Sequence, residues 1–447
     1  MQSSKAYTKT AIAMLLLGVA GPALFAQTET ADPSWMPKVL GMQYNGIAQD
    51  LPPFSSPYQG QNSLRDSHNM TSVYGAYMGS QIAPGLQAYM DIEMIRGGGV
   101  GKGIGLGGYT NGDALHSGSS DLGQDPYVAR LYLRYLYPLS GETSAALRAQ
   151  DQLPGNEPAS GVEFKAGRMS ASDTFDQNRY ANNTRTQFMN YDFINNVAWD
   201  YAADTRGYSY GVTAALYHPE WRLAFGAFAM PKYANGMTID DAFLAANETD
   251  LELTLKPAGH DTVVRALAYL NQARMGNYDD AVALAQLANT TPDVVANDSP
   301  GRTKYGFGLN VEQPLADNGE TGLFGRIGWN DGHNESFVYA EADRHASVGM
   351  QLCGARWHRD ADRVGIAYAV DGLSSEHKAY LAAGGSGFML GDGQLNYAVE
   401  QVAEVYYRVQ LGSYIQITPD FQFIINPGYN SDRGPAQAYA LRARVSF

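Results

Sequence analysis

This chain of 447 residues has little with which to build a metal centre, a disulfide framework or a helical membrane span. It has one cysteine, Cys353, so neither an internal disulfide nor a thiolate cluster can form. Its eight histidines are scattered, without metal-ligand spacing. Neither G-x-S-x-G nor H-E-x-x-H occurs. Charged residues make up only 17%, and the 31 lysines and arginines form no basic block against 45 acidic residues. The formal charge of −14 therefore argues against nucleic acid as a partner. Past the N-terminal stretch, no run approaches the twenty or so apolar residues of a membrane helix. Gly103–Gly108 satisfies G-x-G-x-x-G, but within a glycine-rich run and with no helix pattern after it to hold a phosphate. No metal and no cofactor is implied.

What the chain does have is alternation. Hydrophobic residues reach 45%, yet mean hydropathy is −0.30, so apolar side chains are interleaved with polar ones. The 49 glycines and 30 tyrosines suit turns and interfacial aromatics. The last eleven residues, Gln437–Phe447, show the pattern best: Tyr439, Leu441, Ala443, Val445 and Phe447 share one face, Arg442 and Arg444 the other. About ten tilted residues cross a bilayer as a strand. In an outer-membrane barrel, the apolar face of such a strand meets lipid and its arginines meet a wet lumen.

Sixteen runs of this kind can be traced. They are Val39–Ile47, Thr71–Ser80, Leu86–Arg96, Tyr127–Tyr137, Val162–Met169, Gly207–Tyr217, Trp221–Met230 and Asp250–Lys256, then Thr262–Ala273, Tyr305–Gln313, Gly322–Asn330, His345–Cys353, Arg363–Asp371, Val402–Gly412, Phe421–Asn426 and the terminal strand. An even number is what bacterial barrels require. In Tyr127–Tyr137 the odd positions, Tyr127 and Ala129 included, are expected to face lipid. The expected fold is all-β, a transmembrane antiparallel barrel. Short connections (Pro84-Gly85, His218–Glu220, Lys256–Asp261, Thr418–Asp420) all fall on the side of a periplasmic C-terminus. Long ones (Gly97–Pro126, Ser170–Arg206, Asn277–Thr303, Gly372–Tyr397) fall outside, as barrels of this class arrange them. Pro138–Gly161 is the exception, long where a turn should be short. Asn277–Leu287 and Ser374–Gly384 read as helices within outer loops.

Residues 1–26 read as a cleaved signal peptide, with Lys5 and Lys9 before the apolar run Ala11–Phe25 and small residues at Ala23 and Ala26. Residues 27–38 follow as a periplasmic lead-in, and 39–447 as the barrel. The expected location is the outer membrane of a Gram-negative bacterium, with lipid around the barrel.

Several passages resemble the carbohydrate-selective porins of Gram-negative outer membranes, the OprB family. They are Phe164–Tyr191, Leu86–Gly99, the segment from Lys304 and Pro419–Phe447, with NPGYN–DRGP at Asn426–Pro435 the most specific. The resemblance implies a sixteen-stranded barrel with a narrowed channel for glucose and related sugars. It assigns no sugar-contacting position here.

A neutral sugar must be recognised by hydrogen bonds, and guanidinium and carboxylate groups supply donors and acceptors. Strand parity turns Asp91, Glu93, Arg130, Arg134, Arg222, Glu312, Arg326, Glu404, Tyr406, Arg408, Arg442 and Arg444 inward. Candidate solute contacts are the mid-strand Arg130, Arg134, Glu404 and Arg408, with Asp91, Glu93, Arg326, Arg442 and Tyr406. The same charges would also serve simply to solvate a wet wall and pair across strands. Ser170–Arg206 is expected to fold inward as the constriction loop, carrying Asp173, Asp176, Arg179, Arg185, Asp192, Trp199, Asp200 and Arg206. Passive, sugar-preferring diffusion into the periplasm is the expected function, with small carbohydrates as solutes and a homotrimer as the candidate assembly. A general small-solute porin, a barrel enzyme such as a lipase or protease, and an adhesive surface barrel are the alternatives.

Overall fold

The computed structural model describes residues 37–114, 123–240, 245–257 and 261–447. The signal-peptide reading lies outside them, as does most of the lead-in. Eighteen strands are formed among these residues. The first nine are β1 (Val39–Leu51), β2 (Ser67–Ala83), β3 (Leu86–Gly97), β4 (Tyr127–Pro138), β5 (Thr143–Ala146), β6 (Gly155–Pro158), β7 (Gly161–Met169), β8 (Ser209–His218) and β9 (Trp221–Ala229). The rest are β10 (Ala245–Leu255), β11 (Thr262–Met275), β12 (Ser299–Ala316), β13 (Thr321–Asn330), β14 (Arg344–Cys353), β15 (Arg363–Gly372), β16 (Glu400–Leu411), β17 (Ile415–Ile425) and β18 (Ala436–Ser446).

Sixteen of them pair in sequence, antiparallel, and close when β1 meets β18 in the register Gln43–Ser446 to Asp50–Tyr439. Closure leaves no open edge, the condition for a sheet to sit in lipid. Every run of alternation expected from the sequence falls on one of these sixteen strands, overrunning it by two residues at most. β5 and β6 make a separate two-stranded hairpin.

The faces are as the pattern requires. On β18, Leu441 is 51% exposed on the outer surface while Arg442 is 1% exposed inside. Two local expectations fail. Ala129 is an extra residue on β4, because Asp91 pairs with Arg130 and Ile92 with Val128. This bulge flips the parity of the strand start. Val128 faces out, Ala129 is buried, and Tyr127 turns inward to donate from its hydroxyl to Glu93 at 3.0 Å. The turn placed at Thr418–Asp420 is not a turn. Pro419 lies within β17, where pairing with β16 skips from Tyr406–Asp420 to Val409–Ile417 because proline offers no N–H. The chain reverses instead at Gly412, whose φ of +61° favours glycine.

The start of β1 and the C-terminal Phe447 lie at one end of the barrel, with the short connections; barrel convention makes it the periplasmic end. At the other end, helices α1 (Tyr278–Ala288) and α2 (Ser375–Ala382) form where the sequence expected them, N-capped by Asn277 and Ser374. Tyr278 stacks on His377 at 4.3 Å and tilts against Tyr380 at 5.1 Å, joining the two helices.

Candidate functional site: a divided lumen

The connection between β7 and β8 runs inward, not over the surface, as expected of the constriction loop. It crosses the barrel to the periplasmic end, where Arg179 donates to Asn318 O at 3.3 Å and the Tyr180 hydroxyl to Gly319 O at 2.9 Å. Its apolar side packs on the wall. Phe188 meets Tyr406 of β16 at 5.0 Å, Phe324 of β13 at 5.6 Å and its own neighbour Phe193 at 5.2 Å. The wall is cleared of side chains where the loop presses: a Cβ at Gly308 or Gly328 would collide with Asn196.

Inward polar groups of β13, β16 and β18 fasten the loop backbone. Glu404 accepts from Met189 N at 2.6 Å and Asn190 N at 3.0 Å. Arg326 donates to Phe193 O at 2.8 Å and Ala181 O at 2.7 Å, and pairs with Asp176 at 3.1 Å. Arg442 donates to Thr184 O and to Gln187 O at 2.9 Å, and Arg408 to Thr186 O at 3.1 Å. Asp200 accepts from Phe337 N and Val338 N at 2.9 Å and from Lys304 at 3.1 Å. Trp199 is buried against Tyr201 and Phe175. One side of the lumen is therefore a packed interior, not water.

That side also holds Ser347, His345 and Asp371 in the connectivity of a hydrolytic triad, with contacts of 3.0 Å to Nε2 and 2.7 Å to Nδ1. All three are buried, and none borders the lumen cavity. The carboxyl of Asp371 lies beside that of Asp192 in the loop. The three side chains thus sit under the loop, away from the cavity.

The open side is a cavity of about 560 Å³ against β18, β1, β3, β4 and β7. Five carboxylates border it: Glu93, Asp113, Asp151, Glu163 and Asp173. Six cations face them: Arg130, Arg134, Lys165, Arg185, Arg206 and Arg444. Most are tied to one another. Arg130 grips Asp173 in a fork of 2.6 and 2.7 Å, meets Asp91 at 3.2 Å and approaches Asp151 at 3.5 Å. Arg185 donates to Glu93 at 2.7 Å and Asp113 at 2.9 Å. Burial opposes the Arg185 charge, but Asp113 and Glu93 more than offset it and raise its pKa. Arg134 holds Glu157 through two bonds of 2.6 and 3.0 Å and Glu163 at 2.6 Å.

Aromatic faces complete the lining. Tyr339 is nearly parallel to Tyr191 at 5.5 Å and to Tyr201 at 5.6 Å, and the Tyr191 hydroxyl donates to that of Tyr201 at 3.3 Å. Arg206 sits 4.1 Å over Tyr127, and Arg130 5.2 Å over Tyr208.

Of the residues singled out in the sequence, Arg130, Arg134, Glu93, Asp173, Arg185 and Arg206 meet around this cavity. Asp91 stands behind Arg130. Arg326, Glu404, Tyr406, Arg408 and Arg442, with Asp176, Asp192, Trp199 and Asp200, lie on the packed side and hold the loop in place. Arg179 is at the far turn, half-exposed. Parity could say which side chains point inward, but not which side of the lumen the loop would fill. Tyr191, Tyr201, Tyr208 and Tyr339 were missed, since nothing separates them from thirty tyrosines in a row of letters. Gln150–Gln152 were missed because their segment belongs to a periplasmic connection.

Residues 81–447 match the family described as carbohydrate-selective porin, OprB family. The solved high-pH structure of Pseudomonas putida OprB superposes with a TM-score of 0.68 at 15% identity, covering 92% of this chain and 94% of that one. The outer membrane channel DcaP of Acinetobacter baumannii gives 0.48 at 12% identity, with 92% and 96% covered. Among curated proteins, porin AaxA of Chlamydia pneumoniae is 43% identical over 48 residues, so the chain spans only 11% of that relative's length.

Proposed function

We propose, from the premise that this chain belongs to the OprB family of carbohydrate-selective porins, that it passes small neutral sugars of the glucose type across the outer membrane by passive diffusion. The observation that carries this reading is the near balance of charge around the cavity. Six cations face five carboxylates, most of them paired, so the wall is dense in donors and acceptors without being a deep well for either sign of ion. A hydroxylated solute can exchange water for these groups one at a time, and release requires that no single contact be tight. Tyr191, Tyr201 and Tyr339 border the same cavity and give it an aromatic rim beside the charges.

Each chain closes its own barrel, and a homotrimer of such barrels is the assembly this reading takes. The test is single-channel conductance of purified protein in planar bilayers with glucose added on one side. A saturable fall in current with glucose is expected. Current indifferent to glucose and to a panel of mono- and disaccharides would leave a general small-solute porin.

A further inference from the structure

We propose that the long periplasmic connection, residues 139–160, is a second constriction of the same channel, with Gln150, Asp151 and Gln152 at its tip as selectivity residues on the exit side. The proposal rests on the channel reading above but not on which solute passes.

The other connections at this end of the barrel run from two to nine residues, and short turns suffice to join antiparallel strands. This one carries the β5–β6 hairpin and then folds back into the barrel mouth. Leu153 is its apolar anchor, 4% exposed in a cluster with Tyr89, Tyr77, Tyr132 and Val39. Its backbone N–H donates to the Tyr89 hydroxyl at 3.3 Å. Arg148 donates to Leu40 O at 2.6 Å, and Glu157 is forked by Arg134. The segment is thus seated by packing and by charge at both ends of its tip.

The tip is built differently from its anchors. Gln150, Asp151 and Gln152 are all half-buried, and all border the cavity that Arg130, Arg185 and Arg444 also border. Gln150 donates to Asp91 at 2.6 Å and accepts from Gln43 at 3.2 Å. Gln152 donates to Glu157 at 2.9 Å. A mere plug would present apolar groups here, as Leu153 does. The tip instead presents two amides and one carboxylate, a set that offers both donors and acceptors to a hydroxylated solute. Arg130 joins the two constrictions, since it forks Asp173 of the outer loop and approaches Asp151 of the periplasmic tip. Entry and exit are narrowed against one shared guanidinium.

The test reads ion current, so it stands apart from sugar preference. In a Cys353→Ser background, Gln150→Cys is modified with a charged methanethiosulfonate from the side of Phe447, and Ser144→Cys on the exposed hairpin is the control. Modification at 150 is expected to lower single-channel conductance by about half or more, with the control unchanged. Replacing residues 140–159 with Asn-Gly is expected to raise conductance about two-fold or more. Full modification of Gln150→Cys, verified by mass, with unchanged current would overturn the proposal even if the shortened barrel failed to form. Tip-dependent current that ignores glucose would support the constriction while removing the sugar reading.

Discussion

Arg130 on the barrel wall and Asp173 on the constriction loop meet in two parallel hydrogen bonds of 2.6 and 2.7 Å, and this fork ties the loop entrance to β4. Hydrogen bonds between charged groups are worth about 1.5–3 kcal/mol each. Arg130 keeps Asp91 when Asp173 is lost, so Asp173→Ala is expected near the low end, about 1.5 kcal/mol in urea unfolding from detergent. In an Arg130→Ala background the same change should cost about a third of that or less. Equal costs in both backgrounds would show that the fork contributes nothing.

Glu404 tests whether the loop is held by backbone capture. Both its oxygens accept from amides, Met189 and Asn190. Glu404→Gln keeps the shape but turns an NH₂ toward one of those N–H groups, leaving a buried donor unpaired at about 1–3 kcal/mol. The expected outcome is faster hydrogen exchange at Met189 and Asn190 and noisier open-channel current. Unchanged exchange at those two amides would refute loop anchoring by this carboxylate.

Asp151 gives the channel a pH dependence. Burial raises its pKa to about 7; Asp91 and Asp173 add to this, while Arg130 and Lys165 oppose it. A carboxyl with a raised pKa in the docked tip binds its proton more tightly there than when free. Docking is therefore favoured in acid and weakens as pH climbs from the free value near 4 to about 7, then levels off. Conductance should rise across that window in the wild type and stay flat in Asp151→Asn. A rise of equal size in the variant would assign the effect to another group.

The lipid face makes a separate prediction. Leu441 points outward and is half-exposed. Leu441→Arg is expected to destabilise the barrel by about 2–4 kcal/mol if it lies at the bilayer midplane, measured by urea unfolding from vesicles. Arginine is already present next door at 442 and 444, where it faces in. A neutral effect of Leu441→Arg would contradict the assigned orientation of β18.

How much of this was readable in advance follows from the range of the forces involved. Strand parity is local, so the sixteen strands and the two loop helices could be read from neighbouring letters. The bulge at Ala129 and the proline within β17 broke that reading, because each depends on what the partner strand tolerates. Which inward residues face solute is not local at all. Glu404 and Arg130 look alike in sequence, both mid-strand and inward. They part company only because Phe188 and Phe193 lay the loop against β13 and β16, leaving β3, β4 and β7 open. The periplasmic tip was visible only as an anomaly of length.

The fastening of the inner loop also sets an order on assembly. Met189 waits for Glu404, 215 positions later, and Gln187 for Arg442, 255 positions later. Contacts so distant along the chain form late in folding. Because β16 and β18 supply the berth and β18 also supplies the seam with β1, a chain short of its last strands is expected to have neither a docked insert nor a closed wall.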